Sequence, residues 1–280
     1  MKIILGDNQF FGVNHFDIKK GEVTKQNFES IDKINHFINK SLYEGMDGFM
    51  INSNKKGYKL ISIQDYPENK EIHYSIPYPH KYANMVNEKG MLSLLRFCYK
   101  ESSIIKNIKP GLKLLFTRNL KYLVKPAIDL EVPRNLKKGS YVYLQNIITD
   151  LLIGMGREDI LIEYIKSIKS LGFKPGLITL NPVLLNDILN KNSNSKWIND
   201  LIVCFNINIQ GFNVFPSLEK VEELVRSKPK YKLMGMSIFS SGGANIPASI
   251  NYIKGLNLDY VVFGTSRIEN VKSNLKLLRQ

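Results

Sequence analysis

The chain has 280 residues, of which 44% are hydrophobic and 23% charged. That is enough apolar material for a large core without disulfide or metal staples, and it excludes a disordered or fibrous chain. Its 39 Lys and Arg against 25 Asp and Glu leave a formal charge of +14. The excess is local, since residues 89–138 hold twelve basic and three acidic side chains, a net +9.

Short apolar runs alternate with helical patterns along the chain, the pattern of βα units on a parallel sheet. Strand one is predicted over Lys2 to Gly6. A helix follows with apolar residues at Phe28, Ile31, Ile34, Ile38 and Leu42, closed by Gly45. Strand two is Gly48 to Asn52, strand three Glu71 to Ile76 and strand four Tyr141 to Gln145. A helix over 158–171 leads to strand five, Gly176 to Leu180, and a short helix near Val183 to Leu189 leads to strand six, Leu201 to Asn206. Ser217 is placed to cap a helix that precedes strand seven, Lys232 to Ile238. A helix near Pro247 to Ile253 precedes strand eight, Tyr260 to Gly264. The last helix is expected to start at Ser266, with Glu269 completing a capping box.

Eight strands in one series predict a single (β/α)8 TIM barrel domain over 1–280. It carries a long basic insertion between strands three and four, residues 82–140. An open doubly wound sheet is the rival, but the turn after strand one, GDNQFFG, lacks the GxGxxG spacing. Cys98 and Cys204 are the only cysteines, and Cys204 sits in an apolar run. The opening apolar run halts after Leu5, and no stretch approaches the roughly 18 apolar residues of a spanning helix. These features predict a cytoplasmic protein.

Barrel active sites lie at the C-terminal ends of the strands. Read there, the chain presents Asp7, Asn8, Gln9, Asn14 and His15 after strand one, and Asn52 and Asn54 after strand two. Tyr78, His80 and Lys81 follow strand three, and Gln145 and Asn146 follow strand four. Asn181 follows strand five, and Asn206 and Asn208 close strand six. Amides predominate. They suit a hydroxyl-rich or carbonyl substrate, and their alternative use is to satisfy loop backbones. With Asp7 the one obvious acid at a strand tip and no HExxH or cysteine cluster, a metal-independent reaction is expected. Asp7, His80 and Lys81 are the candidates for proton transfer. His36 falls on a helix and His73 within a strand, so neither is counted.

The last two units carry the sharpest pattern. Ser241, Gly242 and Gly243 follow strand seven, and Gly264, Thr265, Ser266 and Arg267 follow strand eight at a helix start. Glycines let backbone approach a ligand, and a helix N-terminus favours an anion. The pair resembles the phosphate cup of barrels that act on phosphorylated metabolites. The stretch GTSRIENVKSNL, Gly264 to Leu275, also resembles the C-terminal cofactor segment of aldo-keto reductases. That resemblance implies NADP as a cofactor, gripped near Thr265, Ser266, Arg267 and Asn274. The catalytic residues of that family are an Asp after strand two, a Tyr beyond it, a Lys after strand three and a His after strand four. This chain offers Asn52, Tyr58, Lys81 and Gln145 instead.

In the insertion, Leu112, Leu115, Phe116, Leu120 and Leu123 share one helical face over 112–125, with lysines away from it. Packing on the barrel is one reading of that face; a lid over an anionic substrate and contact with a membrane surface are the others. Nucleic acid is not expected, because no binding motif accompanies the charge. The sequence leaves three readings open. The first is a metal-independent isomerase, epimerase or lyase acting on a phosphorylated, hydroxyl-rich metabolite. The second is an NADP-dependent reductase, and the third a non-catalytic barrel that binds membranes or polyanions through 89–138.

Overall fold

The computed structural model describes residues 1–12, 26–63, 65–77 and 119–280, with Ser241 described by its backbone alone. The strands β1 (Lys2–Leu5), β2 (Gly48–Asn52), β3 (Glu71–Ile76), β4 (Tyr141–Leu144), β5 (Lys174–Ile178), β6 (Ile202–Asn206), β7 (Lys232–Met236) and β8 (Tyr260–Phe263) pair in parallel, in chain order. β8 returns to β1, pairing Lys2 with Tyr260 and Leu5 with Phe263, so the sheet closes. This is the expected (β/α)8 barrel.

Helices α1 (Ile31–Tyr43), α2 (Lys55–Ile63), α3 (Val124–Glu131), α4 (Asn146–Gly154), α5 (Glu158–Ser170), α6 (Pro182–Asn190), α7 (Leu218–Arg226), α8 (Ile246–Lys254) and α9 (Ile268–Arg279) surround it. Their apolar stripes, such as Ile34 and Ile38 on α1 or Val221 and Val225 on α7, are buried against outward strand residues such as Leu5, Ile51 and Val203. Among the described residues, no helix is long and apolar enough to cross a membrane.

Several boundaries differ from the sequence reading. α1 begins at Ile31 because the Ser30 side chain accepts from Lys33 N, 3.2 Å, while Phe28 packs on Phe10 and Phe37 just outside it. β5 starts two residues early, at Lys174, because the ladder to β4 admits Pro175 opposite Val142. α4 was not anticipated. Ser217 caps α7 as expected, 3.3 Å from Lys220 N. Ser266 does not cap α9: the helix begins at Ile268, Arg267 holds the cap position and no side chain caps the end. Residues of the helix expected over 112–125 lie outside the described residues up to Arg118. Beyond it, Leu120–Leu123 form a 3-10 turn with both leucines exposed, and a new helix starts at Val124.

The barrel interior is a second core of Ile4, Tyr141, Tyr143, Ile178, Cys204, Met234 and Val262. Toward the N-terminal ends of the strands it turns polar. His73 is fully buried, stacks on Tyr141 with ring centroids 4.9 Å apart, and meets the Tyr143 hydroxyl at 2.8 Å. Burial lowers its pKa below the ordinary histidine range, against the pull of Glu71. Its Nε2 lies 3.4 Å from Glu71, too far for a full hydrogen bond. Burial would raise Glu71, but His73 and Lys2, the latter 2.5 Å away, outweigh it and hold the carboxyl down to about 2.

Gly176 is the residue this interior requires. A Cβ there would lie 2.3 Å from the Tyr143 ring, which His73 holds in place. Gly176→Ala is expected to cost ~1–3 kcal/mol by overpacking. Equilibrium urea unfolding measures it, and a loss near zero would mean that Tyr143 is free to move.

Candidate active site

The turn after β1 begins the site. Asp7 leads a 3-10 turn, Asn8–Phe10, that carries Phe10 into the core and so pulls the Asp7 side chain back over the barrel mouth. Only 5% of Asp7 is exposed. Its carboxylate accepts the Asn52 backbone N–H at 2.8 Å and the Asn52 side-chain Nδ2 at 2.8 and 3.0 Å. Burial raises the Asp7 carboxyl, the Asn52 bonds lower it in part, and the outcome is about 6. A carboxyl in that range both takes up and gives back protons near neutral pH.

Asn52 is itself held from the other side. The Ser75 hydroxyl donates to Asn52 Oδ1 at 2.8 Å, and Gln145 Nε2 donates to the same oxygen and to Ser75 Oγ at 2.6 Å. Four consecutive strand ends, β1 to β4, thus contribute one residue each to a single polar network. Asp7, Asn52 and Gln145 were expected there from the sequence. Ser75 was not, yet strand alternation places Glu71, His73 and Ser75 on one face of β3, and that period-2 pattern was the available signal.

Other predicted residues are spent on structure. Asn54 Oδ1 accepts Gly57 N at 2.8 Å and so starts α2, and Asn181 Oδ1 accepts Leu184 N at 3.1 Å and caps α6. Asn206 Nδ2 donates to Asn213 O at 2.9 Å. Asn208, fully buried, holds both backbone groups of Phe212 and accepts from Ser240. These amides close loops because a buried backbone must find partners. Asn8 is exposed, and Asn146 opens α4. Asp150 on α4 accepts from Thr179 and from Leu180 N, tying α4 to the β5 tip. Burial raises its pKa against those bonds. Asn14, His15, Tyr78, His80 and Lys81 lie outside the described residues. Tyr58 sits on α2, half exposed.

The two glycine loops stand side by side on the rim, where Phe239 and Phe263 pack edge to face at 5.3 Å. Ser240 and Gly242 both take left-handed φ, 48° and 92°, and Gly242 and Gly243 are exposed. Ser240 is kept in that conformation by its 3.1 Å bond to Asn208. After β8, Gly264 and Arg267 are exposed, and the Thr265 hydroxyl accepts from Asn270 at 3.3 Å. The Arg267 side chain does not cap α9, and the Arg267 N–H donates to Thr265 Oγ1 at 3.4 Å. Ser266 is part-buried in this loop, and Asn274 lies buried farther along α9.

Gln9 joins the cup to Asp7. It is 8% exposed, donates to Gly6 O at 2.6 Å, and leaves Oε1 buried without a hydrogen bond. That oxygen lies against Gly264, where an added Cβ would come within 2.3 Å of it.

No protein-family model matches the chain, and no curated protein matches it. Among solved structures it is similar to a protein from Pseudomonas aeruginosa described as an aldo-keto reductase. The TM-score is 0.52 at 10% identity, over 99% of this chain and 88% of that one. An aldo/keto reductase from Brucella melitensis gives 0.50 at 10% identity, over 99% and 89%. At such identity the likeness is one of fold. The family's Asp and His positions, as the sequence resemblance maps them, are held here by Asn52 and Gln145, hydrogen-bonded to each other.

Gly264→Ala is expected to push Gln9 off its seat and lower stability by ~1 kcal/mol or more, and Gln9→Ala in the same chain should recover most of that loss. Thermal or urea unfolding of the double-mutant cycle checks it, and additive losses would sink the contact.

Proposed function

We propose that this chain is an enzyme that moves a proton on a phosphorylated, hydroxyl-rich small metabolite, in an isomerase, epimerase or lyase reaction. The observation that carries the reading is Asp7, a nearly buried carboxyl at the barrel mouth raised to about 6. Perturbed carboxyls in such positions are those suited to general acid–base work. In this reading the substrate phosphate sits on the backbone of Ser241, Gly242, Gly243 and Gly264 and on Thr265, Ser266 and Arg267. The uncapped amides of α9 favour negative charge there. Gln9 links that cup to the Asp7 turn, which supports a substrate spanning both. His80 and Lys81, on the chain that leaves β3, are the proposed partners for a second proton transfer.

A second reading is an NADP-dependent reductase in which the same cup holds cofactor phosphates. The resemblance of Gly264 to Leu275 favours it. Against it, Asn52 donates to Asp7, and Gln145 Nε2 donates to Asn52 Oδ1 and Ser75 Oγ in place of a carbonyl substrate.

A thermal-shift titration with NADPH, inorganic phosphate and a panel of sugar phosphates separates the two, since ligands of the folded state stabilise it. The proton-transfer reading expects a shift with a sugar phosphate, solvent deuterium entering that compound by NMR, and none with NADPH. Asp7→Asn should lower the exchange rate by about 10²–10⁴-fold. Asp7 acts as a base when ionised, so the wild-type rate should fall as pH drops below about 6. A shift with NADPH alone, lost in Arg267→Ala, would put the reductase first.

A further inference from the structure

Count the hydrogens in the Asp7 network. One N–H of the Asn52 side-chain amide is shared between the two Asp7 oxygens, and the Asn52 backbone N–H donates to the same carboxylate. Ser75 spends its one proton on Asn52 Oδ1. Gln145 Nε2 spends its two on Asn52 Oδ1 and Ser75 Oγ. These hydrogen bonds all run one way, from β4 through β3 and β2 to the carboxylate that follows β1.

Such a chain is consistent only as a whole. If Asn52 turned over, its NH2 would face the donors of Ser75 and Gln145, and its oxygen would face Asp7. That arrangement is tolerable only when Asp7 is protonated and Gln145 and Ser75 reverse as well. The Asn52 backbone N–H cannot reverse, so the observed sense favours the charged carboxylate. Asn52 Oδ1 already accepts from both Ser75 and Gln145, which uses both of its lone pairs and locks the amide.

We propose that Ser75 and Gln145 are positioning residues: they fix the Asn52 amide with its N–H on Asp7 and so make Asp7 rest as a base. This rests on the reading of Asp7 as the proton-transfer group. Neither residue need touch the substrate. With the Ser75 and Gln145 donors turned onto Asn52 Oδ1 and Ser75 Oγ, the group of this network that can take a proton from a ligand is the Asp7 carboxylate. A substrate C–H or O–H proton would pass to Asp7 while its bonding electron pair stays on the substrate atom. Among the described residues, burial, the Asn52 bonds and Asp7's own backbone N–H account for the state of Asp7, with no charged side chain acting on it.

The test is a carboxyl ¹³C NMR titration of the full chain, with Asp7→Asn identifying the signal. The wild-type midpoint is expected near 6. Ser75→Ala and Gln145→Met should each raise it by ~0.5–1 pH unit, because each frees Asn52 to turn and removes support for the charge. Ser75→Thr keeps the hydroxyl and should leave the midpoint at the wild-type value. The Asn52 side-chain ¹⁵N signals should move with the same midpoint as Asp7. Unchanged midpoints in Ser75→Ala and Gln145→Met overturn the proposal. If one of the two does not fold, the other decides. Full activity in Asp7→Asn would remove the catalytic reading separately, since the titration does not depend on turnover.

Discussion

Closure of the sheet between β1 and β8 is the constraint on which the site depends. Because Lys2 to Leu5 pair with Tyr260 to Phe263 on one side, and Ile4 and Leu5 with Gly48 and Phe49 on the other, the turn after β1 has two fixed neighbours. Asp7 reaches Asn52 at the tip of β2, and Gln9, two residues on, lies against Gly264 at the tip of β8. An open sheet would leave β1 at an edge or beside only one of these strands. The proton-transfer candidate and the anion-cup candidate adjoin because the barrel is closed.

The same low-polarity interior serves opposite ends of the barrel differently. At the N-terminal end, His73 is buried between aromatic rings and pushed toward its neutral form, while Glu71 keeps its charge beside Lys2. At the C-terminal end, Asp7 is buried with hydrogen bonds that only partly repay the loss of water, so its carboxyl rises. A protein that needed only stability would pair or remove that charge.

Amides at the strand tips divide by partner. Asn54, Asn181, Asn206 and Asn208 meet backbone groups and hold loops; Asn52 and Gln145 meet side chains and, through them, a titratable group. Residue type and position on the strand were alike for both sets. Their partners come from elsewhere in the chain: Asn52 is 45 residues from Asp7 and Gln145 is 93 from Asn52.

The eight strands, their order and the parallel closed sheet were legible in the sequence, because apolar alternation and helix spacing record which side of each element is buried. Asp7 was legible as the acid at the first strand tip, and the glycines after β7 and β8 as turns. Local competition decided what the pattern could not: Arg267 rather than Ser266 at the start of α9, and Pro175 inside β5. Ser75 escaped notice because a serine within an apolar strand carries no sign of its role until the strand's neighbours are known. The direction of the hydrogen bonds to Asp7 belongs to tertiary structure alone. Hydrogen-bond polarity is a property of pairs, and the pairs form only when strands distant in sequence are brought to one rim.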